Sequence, residues 1–238
     1  MMKGLYDIHC HVVPLVDDGA VSMAEAVRML KLEYREGVRT VIATPHYRLG
    51  MFEPDPEKVR RHFTLLRRAA GKTGCGIELF LGCEFHANME MVKLLRNGMG
   101  LTMAGSRYIL TEFSRNDDKR YIQDRLYSLL SNGYKPIIAH AERYPCFRKD
   151  TAFLRDVAEM GAYIQLNAGS ITGESGFGIK RFCRKVIREG LLDFVGTDAH
   201  GVNRRPPRIR EAYSYIAEMM GDRYADTIFI KNPQRIIK

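Results

Sequence analysis

Short β-rich runs alternate with amphipathic helical stretches from one end of the chain to the other. The pattern predicts seven strands, at Leu5 to His9, Thr40 to Thr44, Ile77 to Gly82, Tyr108 to Phe113, Pro136 to His140, Tyr163 to Asn167 and Phe194 to Thr197. Helical segments fall between them, the first near Ser22 to Glu36, opened by the capping box Ser22-Met23-Ala24-Glu25 and closed by Gly37. Others are expected near Pro56 to Ala70, Asn88 to Asn97, Asp117 to Asn132, Asp150 to Met160, Ile179 to Glu189 and Arg208 to Met220. Gly133, Gly161 and Gly190 each follow a helical run directly, which suits left-handed C-terminal caps. A repeated βα pattern implies a largely parallel sheet or barrel. The Pro-bearing stretches Phe52 to Pro56 and Arg204 to Pro207 read as loops at a strand's exit. Gly169 to Gly178, with four glycines, reads as the mobile loop.

At 238 residues, with no shift in composition, the chain is expected to form one domain spanning 1–238. No stretch of about 18 apolar residues offers a membrane span, and Met1 to Lys3 does not open a signal peptide, so a cytoplasmic location is expected. The five cysteines, Cys10, Cys75, Cys83, Cys146 and Cys183, are odd in number and lack C-x-x-C spacing, which argues for reduced, mostly buried thiols. Lys and Arg outnumber Asp and Glu by 37 to 28, a formal charge of +9, which makes an anionic ligand plausible. The plainer account is that clusters such as Arg60, Arg61, Arg67 and Arg68, or Arg181, Arg184, Lys185 and Arg188, form solvated helical faces. No nucleic-acid-binding motif accompanies the charge.

Chemistry enters with Asp7-Ile8-His9-Cys10-His11. On a strand, His9 and His11 share a face and Cys10 takes the opposite one. If this is the first strand of a barrel-like fold, the two imidazoles lie at its carboxyl end, where such folds place their chemistry. Other strands end alike: Thr44-Pro45-His46, Gly82-Cys83-Glu84, Thr111-Glu112-Phe113, Ala139-His140 and Thr197-Asp198-Ala199-His200. Five of the seven histidines fall at such ends, whereas His62 and His86 do not. With Asp18 from the Asp17-Asp18-Gly19 loop, five imidazoles and four carboxylates face one another. Singly, each has an ordinary explanation: His46 or His140 as a hydrogen-bonded strand end, Glu84 and Glu112 as exposed acids, Asp18 as a turn former, Asp198 as a helix cap. Together, four converging carboxylates without cations would repel one another. Mixed imidazole and carboxylate donors suit zinc, manganese or iron, and nine groups are too many for one ion.

At these motifs the chain resembles the PHP superfamily (polymerase and histidinol phosphatase), and within it the bacterial metal-dependent protein-tyrosine phosphatases of capsule and exopolysaccharide operons. The resemblance rests on D-I-H-C-H and V-D-D-G (Asp7 to Gly19), T-P-H with G-M-F-E (Thr44 to Glu53), G-C-E (Gly82 to Glu84) and the strand ending at Glu112. It continues through A-H-A-E-R-Y (Ala139 to Tyr144), Q-L-N-A-G-S (Gln165 to Ser170), T-D-A-H (Thr197 to His200) and R-P-P (Arg205 to Pro207), covering essentially the whole chain in order. It implies a distorted (β/α)7 barrel and two to three divalent ions, manganese foremost, with iron or zinc as alternatives. By position, His9, His11, Glu84 and Asp198 would hold one ion, Glu84 bridging to a second held by Glu112 and His140. Asp18, His46 and His200 would serve a third. Arg143 and Arg205 match the family's phosphate-binding arginines; on residues alone either would pass for a surface salt bridge. Tyr47 stands where many relatives carry a second histidine, and Arg204 beside Arg205 allows a one-residue shift of the phosphate contact.

The implied reaction is hydrolysis of phosphotyrosine on the tyrosine-rich tail of a bacterial kinase that controls polysaccharide export. A phosphoesterase acting on a small phosphate such as histidinol phosphate would use the same metals, and a non-catalytic phosphoprotein-binding regulator is the remote alternative. A cysteine phosphatase needs H-C-x5-R, but Val16 stands where the arginine should follow Cys10.

Overall fold

The computed structural model describes residues 4–238. Nine short strands are formed: β1 (Leu5–Cys10), β2 (Val38–Ala43), β3 (His46–Tyr47), β4 (Glu78–Leu81), β5 (Glu84–His86), β6 (Tyr108–Glu112), β7 (Lys135–Ile138), β8 (Tyr163–Asn167) and β9 (Phe194–Gly196). They are the seven expected strands, two of them interrupted. Pro45 has no N–H for the ladder, so the second strand stops at Ala43 and resumes as β3. The third stops before Gly82, where a Cβ would come within 2.9 Å of Met103 Sδ, and resumes as β5.

All pairings are parallel, in the orders β1-β2-β4 and β3-β5-β6-β7-β8-β9. The ring closes between first and last strands, with Asp198 N donating to His9 O at 2.7 Å and His11 N to Ala199 O at 2.9 Å. The architecture is thus a distorted seven-stranded α/β barrel. Its interior is filled by Ile8, Ile42, Met103, Leu110, Ile137 and Phe194. A larger apolar layer separates the strands from the helices α1 (Met23–Arg35), α2 (Pro56–Gly71), α3 (Met91–Arg96), α4 (Lys119–Ser131), α5 (Pro145–Lys149), α6 (Thr151–Glu159), α7 (Ala168–Thr172), α8 (Phe177–Arg188) and α9 (Arg210–Met220).

Ser22 caps α1 by accepting from Glu25 N at 3.1 Å, as expected, but the Glu25 side chain accepts from Val21 N and not from Ser22. Gly133, Gly161 and Gly190 all take positive φ. The Gly169–Gly178 reading needs correction. Residues 168–172 form α7 and α8 begins at Phe177, so the glycines serve a fastened connection in which Gly173 and Gly176 take φ of 113° and 94°. Thr172 O and Lys180 Nζ, 2.9 Å apart, tie its two halves together. All five cysteines are free, and Cys10, Cys83 and Cys183 are buried.

Candidate metal centre

The carboxyl ends of the strands surround one mouth of the barrel, and all nine expected ligand residues meet there. His9 and His11 present their Nε2 atoms 3.3 Å apart. Glu84 Oε2 lies 3.3 Å from each, and Asp198 Oδ1 lies 3.5 and 3.4 Å from them. Five of the six donor–donor distances are thus 3.3–3.5 Å, and a regular tetrahedron of that edge has its centre about 2.1 Å from each corner, the bond length of zinc to nitrogen and oxygen donors. His11, Asp18, His46 and His200 form a second group with donor atoms within 4.8 Å of one another, and His46, Glu84 and Glu112 a third. His140 Nε2 joins the third, 2.7 Å from Glu84 Oε1 and 3.7 Å from Glu112 Oε1.

The donor set fits cations on two further counts. Asp18 Oδ1, His46 Nδ1, Glu84 Oε2 and His200 Nε2 are buried atoms without hydrogen-bond partners, and all four point into this cluster. An orphaned buried acceptor is costly, and four converging ones are rarer still. Burial and the neighbouring Glu84 also push the Glu112 carboxyl up to about 7, the mark of acids crowded without enough positive charge.

The imidazoles are aimed by hydrogen bonds from behind. Asp17 Oδ2 sits 2.8 Å from His11 Nδ1, so Nδ1 carries the proton and the Nε2 lone pair is free. The same oxygen accepts from His46 N at 2.9 Å, and Oδ1 from Gly19 N at 3.0 Å. The turn-forming role expected of Asp18 therefore belongs to its neighbour Asp17. Burial opposes ionisation of Asp17, but the hydrogen bond and charge of His11 win and hold it below the usual carboxylate range. Gln165 Oε1 accepts from His140 N at 2.7 Å and lies 3.3 Å from His9 Nδ1, while its amide donates to Asn167, which donates to Asp198 Oδ2 at 3.0 Å. Tyr144 Oη stands 3.2 Å from His140 Nδ1, and His200 Nδ1 is 2.8 Å from Asp198 O. Gln165 and Asn167 belong to Q-L-N-A-G-S and Tyr144 to A-H-A-E-R-Y; polar residues two apart on a buried strand are the sequence signal for the first two.

Three site residues hold left-handed backbones: His140 (φ 35°), Asp198 (φ 54°) and Arg205 (φ 48°). Each costs about 1–3 kcal/mol in a non-glycine residue and persists only where the surroundings enforce it. Behind β1, Asp7 accepts from His9 N, Thr197 N and Thr197 Oγ1 at 3.1, 3.0 and 2.5 Å, clamping the two strands that carry four of the nine residues. Glu33 lies beside it and near Cys10, its carboxyl pushed well up by burial and by Asp7.

Arg143 and Arg205 both reach Asp198 Oδ2, at 2.5 and 2.9 Å. They do form salt bridges, but to a buried acid of the cluster and not to a surface one. Burial opposes ionisation of Asp198, yet His9 and Arg143 hold its carboxyl well below the ordinary range. Arg204 pairs with Asp18 at 3.3 Å, and Arg205, not Arg204, lines the cavity over the cluster. That cavity, about 650 Å³, is also lined by Arg48, Glu112, Arg115, His140 and Ser175. Of the histidines left out, His62 on α2 bonds to Pro14 O at 2.9 Å. His86 does lie at a strand end, contrary to expectation, but turns to Ser114 Oγ at 3.1 Å and stays outside the cluster. Tyr47 is buried against Phe85, with ring centroids 4.9 Å apart.

A sequence model of the family described as capsular polysaccharide synthesis, CpsB/CapC, matches residues 5–238. The tyrosine-protein phosphatase CpsB of Streptococcus pneumoniae is 34% identical over 238 residues, covering 98% of each chain. The tyrosine-protein phosphatase YwqE of Bacillus subtilis is 33% identical over 217 residues, covering 91% of this chain and 85% of that one. A chain from the crystal structures of YwqE from Bacillus subtilis and CpsB from Streptococcus pneumoniae, described as unique metal-dependent tyrosine phosphatases, superposes with a TM-score of 0.92 at 31% identity, covering 98% of this chain and 94% of that one.

Proposed function

The chain belongs to the CpsB/CapC family of capsular polysaccharide synthesis, and we propose that its nine-residue cluster and two arginines are the working site of a metal-dependent protein-tyrosine phosphatase. One observation carries the assignment of the site: Asp198 is shared. Its Oδ1 completes the four-donor group with His9, His11 and Glu84, while its Oδ2 holds both Arg143 and Arg205 at the cavity wall. Groups suited to cations and groups suited to a phosphoryl dianion are thereby joined through one carboxylate.

Divalent ions held by His9, His11, Asp18, His46, Glu84, Glu112, His140, Asp198 and His200 would supply Lewis-acid stabilisation of phosphoryl oxygens and a water acidified toward neutral pH. We assign two to three ions, manganese first, with iron or zinc able to use the same donors. The protein's own part is positioning and charge. Asp17 and Gln165 keep His11 and His9 in the tautomer that offers Nε2, and Asp7 holds their strand against the Asp198 strand. Arg143 and Arg205 are tethered by one N–H each and keep the rest of their donor forks for the equatorial oxygens, over which the charge of the phosphoryl group is spread. Phenolate, with a parent pKa of about 10, leaves without a dedicated acid. The substrate we assign is phosphotyrosine on the tyrosine-rich tail of a bacterial tyrosine kinase governing polysaccharide export, and the location we assign to this protein is the cytoplasm; no helix among the described residues is long and apolar enough to cross a membrane.

The test is phosphate release from a phosphotyrosine peptide and from histidinol phosphate, by metal-stripped protein with and without manganese, and by His140→Ala. Manganese-dependent release from the peptide, lost in the variant, is expected. A preference for histidinol phosphate would move the protein to small-molecule substrates, and metal-independent release would overturn the site assignment.

A further inference from the structure

The cavity over the cluster has two arginine pairs, and only one is accounted for. Along the strand order β3-β5-β6-β7-β8-β9, Arg48 follows β3 and Arg115 follows β6, whereas Arg143 follows β7 and Arg205 follows β9. Glu112, at the end of β6, lies between. Arg143 and Arg205 are bound to Asp198. Among the described residues, Arg48 and Arg115 form no ion pair, although both line the same space and Arg48 is felt by Glu112 and His86. Unpaired guanidiniums converging on a cavity are available to a ligand's anions, for which their planar fork is suited.

Both side chains stand on fastened turns. Arg48 is bracketed with Phe52 by reciprocal backbone hydrogen bonds of 2.7 and 2.8 Å, and Phe52 stacks on His46 with centroids 5.1 Å apart, so the base of Arg48 is tied to a cluster residue. Arg115 rides a turn closed by Asp117 N to Ser114 O at 3.1 Å and Ser114 N to Asp117 Oδ2 at 2.8 Å. Little backbone ordering is left for the moment of binding. At about 650 Å³ the cavity also has the size of a site for a ligand larger than one aryl phosphate.

Resting on the phosphatase reading above, we propose that Arg48 and Arg115 form a second anion subsite that selects phosphotyrosines with a negatively charged neighbour in the same peptide. The anion is a carboxylate side chain or a second phosphotyrosine within two residues of the first. Arg143 and Arg205 take the phosphoryl group that is cleaved, and Arg48 and Arg115 take the charge beside it, which sets substrate preference.

The experiment uses the full-length, manganese-loaded protein and three peptides identical except for the residues flanking phosphotyrosine: alanine, aspartate or a second phosphotyrosine. The readout is the ratio of kcat/KM for each charged peptide to the alanine peptide, taken within each enzyme so that changes common to all substrates cancel. Fluorescence anisotropy of the same peptides gives the Kd ratio independently of turnover. Two partly exposed ion pairs predict a ratio of about tenfold, carried mainly by KM and shrinking at high salt. It should fall below about threefold in Arg48→Ala/Arg115→Ala and fall further in Arg115→Glu. The charged peptide with the greater ratio identifies the preferred anion. Equal kcat/KM and equal Kd for charged and neutral peptides, or a preference that survives both variants, would overturn the subsite. Failure to release phosphate from any peptide or from free phosphotyrosine would refute the phosphatase reading itself, while the Kd ratios would still decide the subsite.

Discussion

Replacing Asp17 by asparagine changes one atom's chemistry at constant shape and probes how the imidazoles are aimed. The carboxylate serves three donors: His11 Nδ1 and His46 N on one oxygen, Gly19 N on the other. An asparagine has one oxygen for them. If it keeps His11 and His46, a charge-assisted bond becomes a neutral one, a loss of about 1 kcal/mol, and the amide NH2 opposes the Gly19 N–H, at about 1–3 kcal/mol more. If the amide turns the other way, its NH2 faces His11 Nδ1, which must then accept, and the proton moves to Nε2, the atom aimed at the cluster. The first arrangement predicts a stability loss of about 2–4 kcal/mol and metal affinity lowered about 10–100-fold; the second removes His11 as a donor. The assay is competition for manganese against a chelator of known affinity, with urea unfolding of the metal-free protein alongside. Manganese affinity within twofold of the parent would refute the reasoning, because it would mean that His11 needs no partner to hold its tautomer.

Three other substitutions test separate links in the structure. In Gly196→Ala the new Cβ would lie 2.5 Å from His9 Cβ. It must push His9 off its position, costing about 1–3 kcal/mol in stability and about tenfold or more in manganese affinity, and unchanged affinity in the chelator assay would contradict that contact. Burial raises Asp193, whose Oδ2 accepts from Ile164 N at 2.9 Å, from 3.8 to about 6. The folded state therefore holds its proton more tightly; the stabilisation is complete below pH 3.8 and is lost as pH rises through 6. Asp193→Asn keeps an acceptor without the buried charge and should be up to about 3 kcal/mol more stable than the parent at pH 7.5, with the gap closing toward pH 4.5; a gap independent of pH in urea titrations would refute it. Cys10→Ser should keep kcat within about threefold, with Glu33 beside it able to accept from the new hydroxyl, and a fall of several orders of magnitude in a folded variant would overturn the metal mechanism.

That the candidate ligand residues meet at one mouth was legible because two simple periodicities locate them. Strand boundaries from the hydrophobic pattern were good to a residue or two, and an imidazole or carboxylate just past a boundary lies at the barrel mouth whether the strand ends at Thr44 or at Ala43. Groups that aim the ligands were less accessible. Asp17 and Asp18 are adjacent and chemically alike, and the turn that sends one inward and leaves the other beside His46 and His200 includes a left-handed Leu15 (φ 63°), which no residue type in the run foretells. Glycine content misled at residues 169–178, where the glycines supply positive φ to a tied connection. His86 was misplaced because the strand breaks at Gly82 and restarts as β5, which ends at His86, four residues past the expected end.

The run His9-Cys10-His11 contains the raw material of two different phosphatases, a thiol nucleophile and a pair of metal donors, and strand geometry separates them. One residue apart means opposite faces. The imidazoles enter the polar mouth, where Glu84 and Asp198 stand within 3.5 Å. Cys10 enters the apolar layer beneath the helices, where burial and the nearby acids Glu33 and Asp7 push its thiol far above the range in which a thiolate exists. A nucleophilic cysteine needs the reverse, an electropositive and accessible setting. The arginines that could have supplied it, Arg143 and Arg205, lie across the mouth and bind Asp198, which itself completes the donor group of His9 and His11. The choice of metal over thiolate chemistry is therefore made by the facing of His9, Cys10 and His11 at the carboxyl end of β1, beyond the register shift that follows Asp7.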